Sequence, residues 1–101
     1  MPNPETVKIK QIRRHILEAF NMMYPTAMQI ETIYRVIIGT DPAYQWHLFE
    51  KDIAYLTDKQ YLACVDDTFD LQLPARKKTY KLTAAGKDIA DRTRTDPALE
   101  I

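Results

Sequence analysis

The segment KKTYKLTAAGKDIA, residues 77–90, changes its pattern halfway, and this change constrains the fold more than any other feature of the chain. Its first six residues mix lysines with Tyr80 and Leu82, which is typical of a strand with one buried face. Thr83 then stands where a helix N-cap is expected, and the helical pattern continues to about Arg92. The sequence therefore predicts a strand that leads directly into a helix near the end of the chain.

A long amphipathic helix is predicted over about 4–23. It begins at Asn3-Pro4, a cap residue followed by proline at the first helical position, and it ends before Pro25. Its apolar side chains recur at steps of three and four residues: Ile9, Ile12, Ile16, Phe20 and Met23. This spacing predicts one buried face and one solvent face.

Two further helices are predicted to follow in close succession. Thr26 and Gln29 have capping-box spacing, and the helix after them extends to about 38, with Gly39 as its stop. Residues 26–28 could instead form a very short strand. Asp41-Pro42 repeats the start signature, which predicts a third helix over 42–59. Because only 39–41 separate these helices, they must cross at a large angle, as in a helix-turn-helix.

The last third of the chain predicts a two-stranded hairpin. Residues 61–66, YLACVD, are rich in strand formers, 66–76 read as an extended loop, and 77–82 form the returning strand. The expected order is helix, short strand, helix, helix, two strands, helix, an α+β class that is mostly helical. Residues 1–92 are expected to form one domain, and 93–101 a flexible or partner-docked tail.

Net charge is zero, but the charges are sorted along the chain. Residues 41–70 carry two basic and seven acidic side chains, whereas 76–94 carry seven basic and two acidic ones. No apolar run reaches the length of a membrane span, and the start of the chain lacks the apolar block of a signal peptide. One cysteine, Cys64, permits no disulfide within the chain, so a cytoplasmic setting is expected.

Two stretches give the chain a resemblance to winged helix-turn-helix domains. FEKDIAYLTDKQYLACVDD, residues 49–67, is similar to the end of a recognition helix and the strand after it, and TYKLTAAGKDIA, 79–90, to the return from the wing. Members usually have glycine in the turn after the recognition helix, where this chain has Gln60. A left-handed backbone is strained at a non-glycine residue, so we expect a different turn here.

The resemblance implies a DNA-binding transcriptional regulator that acts as a homodimer on double-stranded DNA, with helix 42–59 in the major groove. The candidate DNA-binding residues are Tyr44, Gln45, His47 and Lys51 on that helix, Arg76, Lys77, Lys78 and Lys81 on the wing, and Arg13 and Arg14 on the first helix. Arginine and lysine on such elements contact phosphates. The alternative for the wing cluster is an exposed strand edge that lysines protect from pairing with other strands. The alternative for Arg13 and Arg14 is a solvated helix face.

A protein–protein interaction module is the alternative function. Glu50, Asp52 and Asp41 lie on or beside the third helix, and carboxylates facing DNA are repelled by its phosphates. Tyr44 and Trp46 could then form a protein-binding patch, since aromatic residues are favoured at interfaces. Trp46 could also simply pack on the core.

The sequence contains no set of residues that predicts catalysis, a cofactor or a metal. His15 and His47 have no other ligand at metal-binding spacing. Cys64 lies in an apolar strand and is expected to be a buried small hydrophobe. Asp66, Asp67 and Asp70 lack the glycine and glutamate of a calcium loop, so we expect them to keep the wing loop soluble.

Overall fold

The computed structural model describes residues 4–65 and 77–99. Its elements in chain order are helix α1 (Pro4–Met22), strand β1 (Met28–Gln29), helix α2 (Ile30–Thr40), helix α3 (Trp46–Asp58), strand β2 (Leu62–Cys64), strand β3 (Thr79–Leu82) and helix α4 (Ala84–Ala90). The fold is of the α+β class and mostly helical, as the sequence predicts. The predicted order of helices and strands is confirmed over the described part of the chain.

Helix α1 packs against α2, α4 and β3 and has more buried residues than any other described helix. The predicted stripe is confirmed in its centre, where Ile12, Ile16 and Phe20 are buried. Its outer members, Ile9 and Met23, remain 43% and 45% exposed. The apolar period therefore predicts the inward side of α1 but not how far along the helix the core extends.

The three described strands form one antiparallel sheet in the order β1-β3-β2. Leu62 pairs with Leu82, and Cys64 with Tyr80, which confirms the predicted hairpin pairing. Because neighbouring side chains on a strand point to opposite faces, Leu82 is buried and Tyr80 packs on the core while Lys81 is exposed. The predicted loop over 66–76 lies outside the described residues.

The second helix does not begin with a capping box. Gln29 makes no side-chain hydrogen bond at the start of α2, and its backbone pairs with Thr79 in the sheet. The alternative of a very short strand is the correct one, although the strand is Met28–Gln29 rather than 26–28. Pairing of this segment with the sheet outweighs the local capping signal. The sheet hydrogen bonds satisfy backbone N–H and C=O groups that a side-chain cap would leave without partners.

The connection between α2 and α3 is longer than the sequence predicts. It comprises residues 41–45 instead of 39–41, because α2 continues past Gly39 and α3 begins four residues after Pro42. Both errors arise because local signals predict a helix stop at Gly39 and a helix start at Pro42, whereas tertiary contacts decide where these two helices end and begin. The five-residue connection is long enough for the chain to turn the Tyr44 side chain into the core.

Burial of Tyr44 explains the late start of α3. At 3.6 residues per turn, a helix beginning at Pro42 would direct Tyr44 roughly 140° away from Phe49, on the exposed side. The chain instead turns at 41–44, where the Tyr44 N–H donates to the Asp41 carbonyl at 3.1 Å, and Tyr44 is buried. The Asp41 carboxylate, predicted to cap the helix, is 3.0 Å from the Lys8 ammonium.

The turn after α3 has a left-handed backbone, although no glycine is present. Gln60 has φ 66°, so the expectation of a different turn is wrong. The Tyr61 N–H donates to the Leu56 carbonyl and the Gln60 N–H to the Thr57 carbonyl, which is a Schellman motif. Tyr61 and Leu56 are both buried, so their contact offsets the strain at Gln60.

The junction between β3 and α4 explains the Leu-Thr-x-x-Gly pattern. The Thr83 hydroxyl accepts from the Gly86 N–H at 3.0 Å, which confirms the predicted N-cap, and it donates to the Gln60 carbonyl at 2.6 Å. A Cβ at Gly86 would lie 2.2 Å from the Tyr61 carbonyl oxygen and 2.8 Å from Leu82 Cδ1. Glycine is needed here for close approach of α4 to the Tyr61 backbone, since its φ is not positive.

Residues 93–99 pack on the domain, whereas the sequence suggested a flexible or partner-docked tail over 93–101. Leu99 is fully buried in the same core as α1. Asp96 accepts from the Tyr61 hydroxyl at 2.6 Å and from the Lys59 ammonium at 2.9 Å. The sequence shows no hydrophobic period over 93–99, because the single residues Leu99 and Asp96 hold this segment on the domain. No repeating helix or strand face is involved.

Hydrogen bonds to Asp96 shift its ionisation. Burial alone would raise the pKa of Asp96, but the donors Tyr61, Lys59 and the Ala98 N–H together lower it to about 2. This value lies below that of an unfolded aspartate, so Asp96 stabilises the fold above about pH 4 and the contribution is lost as the pH falls towards 2.

We expect Gly86→Ala to lower the free energy of unfolding by roughly 1–3 kcal/mol, because the new methyl group overlaps the Tyr61 carbonyl. The matched control is Gly39→Ala within α2, where a Cβ meets nothing within 4 Å. That substitution should raise the free energy of unfolding by about 0.5–1 kcal/mol. Urea unfolding measures both, and two changes of the same sign would contradict the packing explanation.

We expect Asp96→Asn to lower the free energy of unfolding at about pH 7 by roughly 2 kcal/mol, and the variant and wild type to converge as the pH falls towards 2. Urea unfolding at several pH values measures this. Glu50→Gln, on the exposed side of α3, should change stability at neutral pH by less than about 0.5 kcal/mol. An Asp96→Asn deficit that persists at low pH would show that the carboxylate charge is not responsible.

Candidate functional site

The exposed face of α3 carries three of the four residues that the sequence assigned to this helix as DNA contacts. Gln45, immediately before the helix, and His47 and Lys51 within it are exposed. Glu50 lies among them and is exposed as well. This face is therefore polar and of mixed charge.

Tyr44 does not belong to this face, because it is buried and lies outside the helix, contrary to the prediction that it is an exposed helix residue. It lies in the connection before α3, is only 6% exposed, and packs in an aromatic cluster with Tyr34, Trp46 and Phe49. The Tyr34 hydroxyl donates to the Tyr44 carbonyl at 2.8 Å.

Trp46 packs in the same cluster. Its ring meets the edge of Tyr34 at a centroid distance of 5.1 Å and lies 5.2 Å from Phe49. It is partly buried against the core, which agrees with the packing alternative stated from the sequence. The predicted Tyr44–Trp46 protein-binding patch is therefore not an exposed surface.

Arg13 pairs with a carboxylate inside the domain, although the sequence placed it on the solvent side of the first helix. Its Nε donates to Asp52 Oδ1 at 2.9 Å, and its guanidinium lies 3.7 Å from the centre of the Tyr55 ring. The other Asp52 oxygen accepts from the Tyr44 hydroxyl. Asp52 is 6% exposed and is neutralised by Arg13, so it does not repel a ligand of α3.

Arg14 is also not a surface residue, contrary to the prediction, since it is only 8% exposed. It shares a helix face with Asn21, seven residues further along α1. The Asn21 side chain donates to Asp91 at the end of α4, so this face of α1 points towards α4. Arg13 is therefore paired within the domain, and Arg14 is buried.

The Tyr44–Asp52 contact shifts the ionisation of the tyrosine. Burial, and then the hydrogen bond to Asp52, raises the pKa of Tyr44 far above its usual range. The hydroxyl therefore stays protonated at neutral pH and remains a donor to Asp52. The Arg13–Asp52–Tyr44 group, which we call the Asp52 network, is a fixed structural unit that joins α1, the 41–45 connection and α3.

The remaining candidates lie on the sheet. Lys77, Lys78 and Lys81 are exposed, and none of the three has a carboxylate within 4 Å among the residues that the structure describes. Lys81 projects from the outer face of β3, opposite Tyr80 and Leu82. Arg76 lies outside the described residues.

No group that could hold a metal occurs among residues 4–65 and 77–99. His15 and His47 are both exposed and lie on different helices. Cys64 is half-buried rather than fully buried, and it lies across the sheet from Tyr80. Burial, and then the charge of Cys64, raises the pKa of Tyr80. The acidic residues Asp66, Asp67 and Asp70 lie outside the described residues.

A groove of about 750 Å³ lies between the N-terminal half of α1, the 41–45 connection and α3, and sequence reasoning did not identify it. Its lining residues are Pro4, Glu5, Lys8, Ile9, Ile12, Arg13, Asp41, Ala43, Tyr44, Leu48, Lys51 and Asp52. Ile9, which the sequence placed on the buried face of the first helix, is 43% exposed beside this groove, and Leu48 is 41% exposed.

Comparison of the chain with protein-family models, with curated proteins and with solved structures gave no match in any of the three. None of the helices in the described part of the chain combines the length and apolar character that a membrane crossing requires.

We expect Arg13→Met to lower the free energy of unfolding by about 2–4 kcal/mol, because it leaves the buried Asp52 carboxylate without its cation. The matched control is Lys8→Met, which breaks an ion pair of similar length at the surface and should cost less than about 1 kcal/mol. Chemical unfolding measures both. The combined variant Arg13→Met/Asp52→Leu should recover part of the loss, and equal costs for the two single variants would contradict this account.

Proposed function

We propose that this chain is a small winged-helix protein that binds duplex DNA and acts as a transcriptional regulator. Helix α3 enters the major groove, and the β2–β3 pair is the wing that contacts the adjacent phosphate backbone. Gln45, His47 and Lys51 face the bases and phosphates of the groove. Lys77, Lys78 and Lys81, with Arg76, contact the backbone beside it.

The observation that carries the proposal is the combination of a helix pair with a lysine-bearing sheet. Helices α2 and α3 are joined by five residues, and the antiparallel sheet that follows has the order β1-β3-β2. Three exposed lysines lie on its central strand or directly before it. Cationic side chains without a carboxylate partner are the kind that gain most from meeting phosphates, since no ion pair must first be broken.

Helix α3 and the 41–45 connection carry less uncompensated negative charge than their sequence suggests. Asp52 is paired with Arg13 and Asp41 with Lys8, so two of the three carboxylates that argued against DNA are compensated. Glu50 remains exposed between His47 and Lys51 and opposes a phosphate-facing orientation. Base-edge contacts from α3 therefore depend on three side chains, and most of the affinity comes from the sheet lysines.

The proposed regulator is a homodimer whose contacts come from the terminal helices, so that two copies of α3 meet a pseudo-palindromic site. Met22 and Met23, at and just beyond the end of α1, are 83% and 45% exposed and supply apolar surface for such contacts. The protein-interaction alternative has less support, because Tyr44 is buried and Trp46 is partly buried against the core.

The proposal predicts weak binding to random-sequence duplex DNA that falls steeply between about 50 and 200 mM salt. The variant Lys77→Gln/Lys78→Gln/Lys81→Gln should reduce the slope of log affinity against log salt by roughly 3, about one for each lost phosphate contact. Fluorescence anisotropy with labelled DNA measures both quantities. An absence of binding at the lower salt concentration would refute the proposal and favour a protein partner.

A pair of carboxylate variants tests the orientation of α3. Glu50→Gln, on the exposed face of α3, should strengthen DNA binding because it removes a repulsion from the phosphates. Glu18→Gln, on the exposed side of α1, changes the net charge by the same amount and should have a smaller effect. Equal gains from the two variants would mean that α3 does not face the DNA.

A further inference from the structure

We infer that Arg14 and Lys10, on the face of α1 that points towards α4, form a binding site for a small phosphate-like dianion. This inference does not depend on the proposed DNA contacts. It rests on the burial of the Arg14 side chain, on the lack of a carboxylate partner for either cation in the described chain, and on the direction in which helix side chains lean.

The side chain of Arg14 is a nearly buried cation without a counter-ion. Arg14 is 8% exposed, yet its side chain forms no ion pair and no hydrogen bond among residues 4–65 and 77–99. Its neighbour Arg13, by contrast, pairs with Asp52. Buried charges in proteins are almost always paired, because an isolated charge loses its hydration without a replacement. An anion in contact with Arg14 supplies that replacement.

The guanidinium group of Arg14 is accessible to a small ligand. No fully buried side-chain nitrogen or oxygen atom in the described residues lacks a hydrogen-bond partner. Because the guanidinium has no such partner there, its nitrogen atoms reach solvent at the tip while the aliphatic stem is covered. The low exposure of the whole residue makes this opening small, so it suits an inorganic oxyanion better than a bulky ligand.

The turn of α1 towards which Arg14 leans contains a second cation and no carboxylate. Helix side chains point towards the N-terminus, so the neighbours of Arg14 on that turn are Lys10 and Gln11. Lys10 is half-buried and also lacks an ion pair in the described chain. Glu18, four positions after Arg14, lies on the side from which the arginine leans away, and the two form no ion pair.

The carboxylates of the facing helix α4 have other partners. Asp91 accepts from the Asn21 side chain at 2.8 Å and lies 3.0 Å from the Lys87 ammonium, and Asp88 accepts from the Thr93 hydroxyl at 3.4 Å. The two cations on α1 therefore keep two positive charges without a counter-ion in the described chain. A phosphate dianion neutralises both and matches the planar fork of a guanidinium, whereas a monocarboxylate neutralises only one.

Titration of the full chain with inorganic phosphate at constant ionic strength, followed by backbone amide and arginine Nε–H chemical shifts, tests the inference. We expect saturable shifts at Lys10, Arg14 and Leu17, and weaker binding of acetate. Arg14→Gln should abolish phosphate binding, and Lys10→Gln should weaken it about threefold to fivefold. The matched control is Arg94→Gln, which alters an exposed arginine outside α1 and should leave phosphate binding unchanged.

The stability of Arg14→Met separates an uncompensated charge from one that is satisfied within the chain. In phosphate-free buffer, Arg14→Met should lower the midpoint of urea unfolding less than Arg13→Met does, because methionine keeps the apolar stem and only Arg13 has a buried carboxylate partner. Phosphate should raise the Tm of the wild type and leave that of Arg14→Met unchanged, since a ligand stabilises only the folded chain that binds it.

Several outcomes would overturn the inference. These are an absence of saturable shifts at millimolar phosphate, equal affinity for phosphate and acetate, or equal losses of stability for Arg14→Met and Arg13→Met, which would mean that Arg14 has a counter-ion within the chain. A weaker salt dependence of DNA binding in Arg14→Gln, without any response of the wild type to free phosphate, would assign the arginine to the DNA backbone instead.

Discussion

The buried carboxylate of Asp52 joins three parts of the chain, and the position of α3 depends on it. Arg13 reaches it from α1, the Tyr44 hydroxyl reaches it from the 41–45 connection, and Asp52 itself belongs to α3. A carboxylate out of water must keep its cation and its donors, since each lost partner leaves an uncompensated buried charge. These contacts therefore link α1, the 41–45 connection and α3 directly.

A second junction couples α3, the sheet and α4 through backbone groups. The left-handed Gln60 ends α3, its carbonyl accepts from the Thr83 hydroxyl, and the Thr83 N–H donates to the Tyr61 carbonyl. Gly86 lets α4 approach that same carbonyl closely. Residues 93–99 then return to this junction, where Asp96 meets Tyr61 and Lys59. A substitution at one of these positions therefore disturbs contacts of α3, the sheet and α4.

These two junctions also decide which charges remain available for a ligand. Arg13, Lys8 and Lys59 are consumed by ion pairs within the domain, and Arg14 is buried. The exposed cations without a carboxylate partner in the described chain include the sheet lysines and Lys51. The proposed DNA contacts use members of this remaining set.

The exposed candidates Gln45, His47 and Lys51 could be read from the sequence, because solvent-facing positions on a helix follow from its period. Tyr44, Arg13 and Arg14 could not, because each was assigned by residue type and local spacing, which do not show how deeply a side chain is buried. Arg13 meets Asp52 across 39 positions. The groove was missed for the same reason, since its two walls come from separate helices.

The sequence by itself determined the α+β class, the order of helices and strands, the pairing of β2 with β3 and the cap at Thr83, because these follow from periodicity and from short-range hydrogen bonding. Only the tertiary structure decided where α3 begins, which charges are neutralised and that residues 93–99 belong to the domain. The physical reason is that helix ends, ion pairs and single buried anchors gain their free energy from contacts between distant segments. Local propensity carries no information about those contacts.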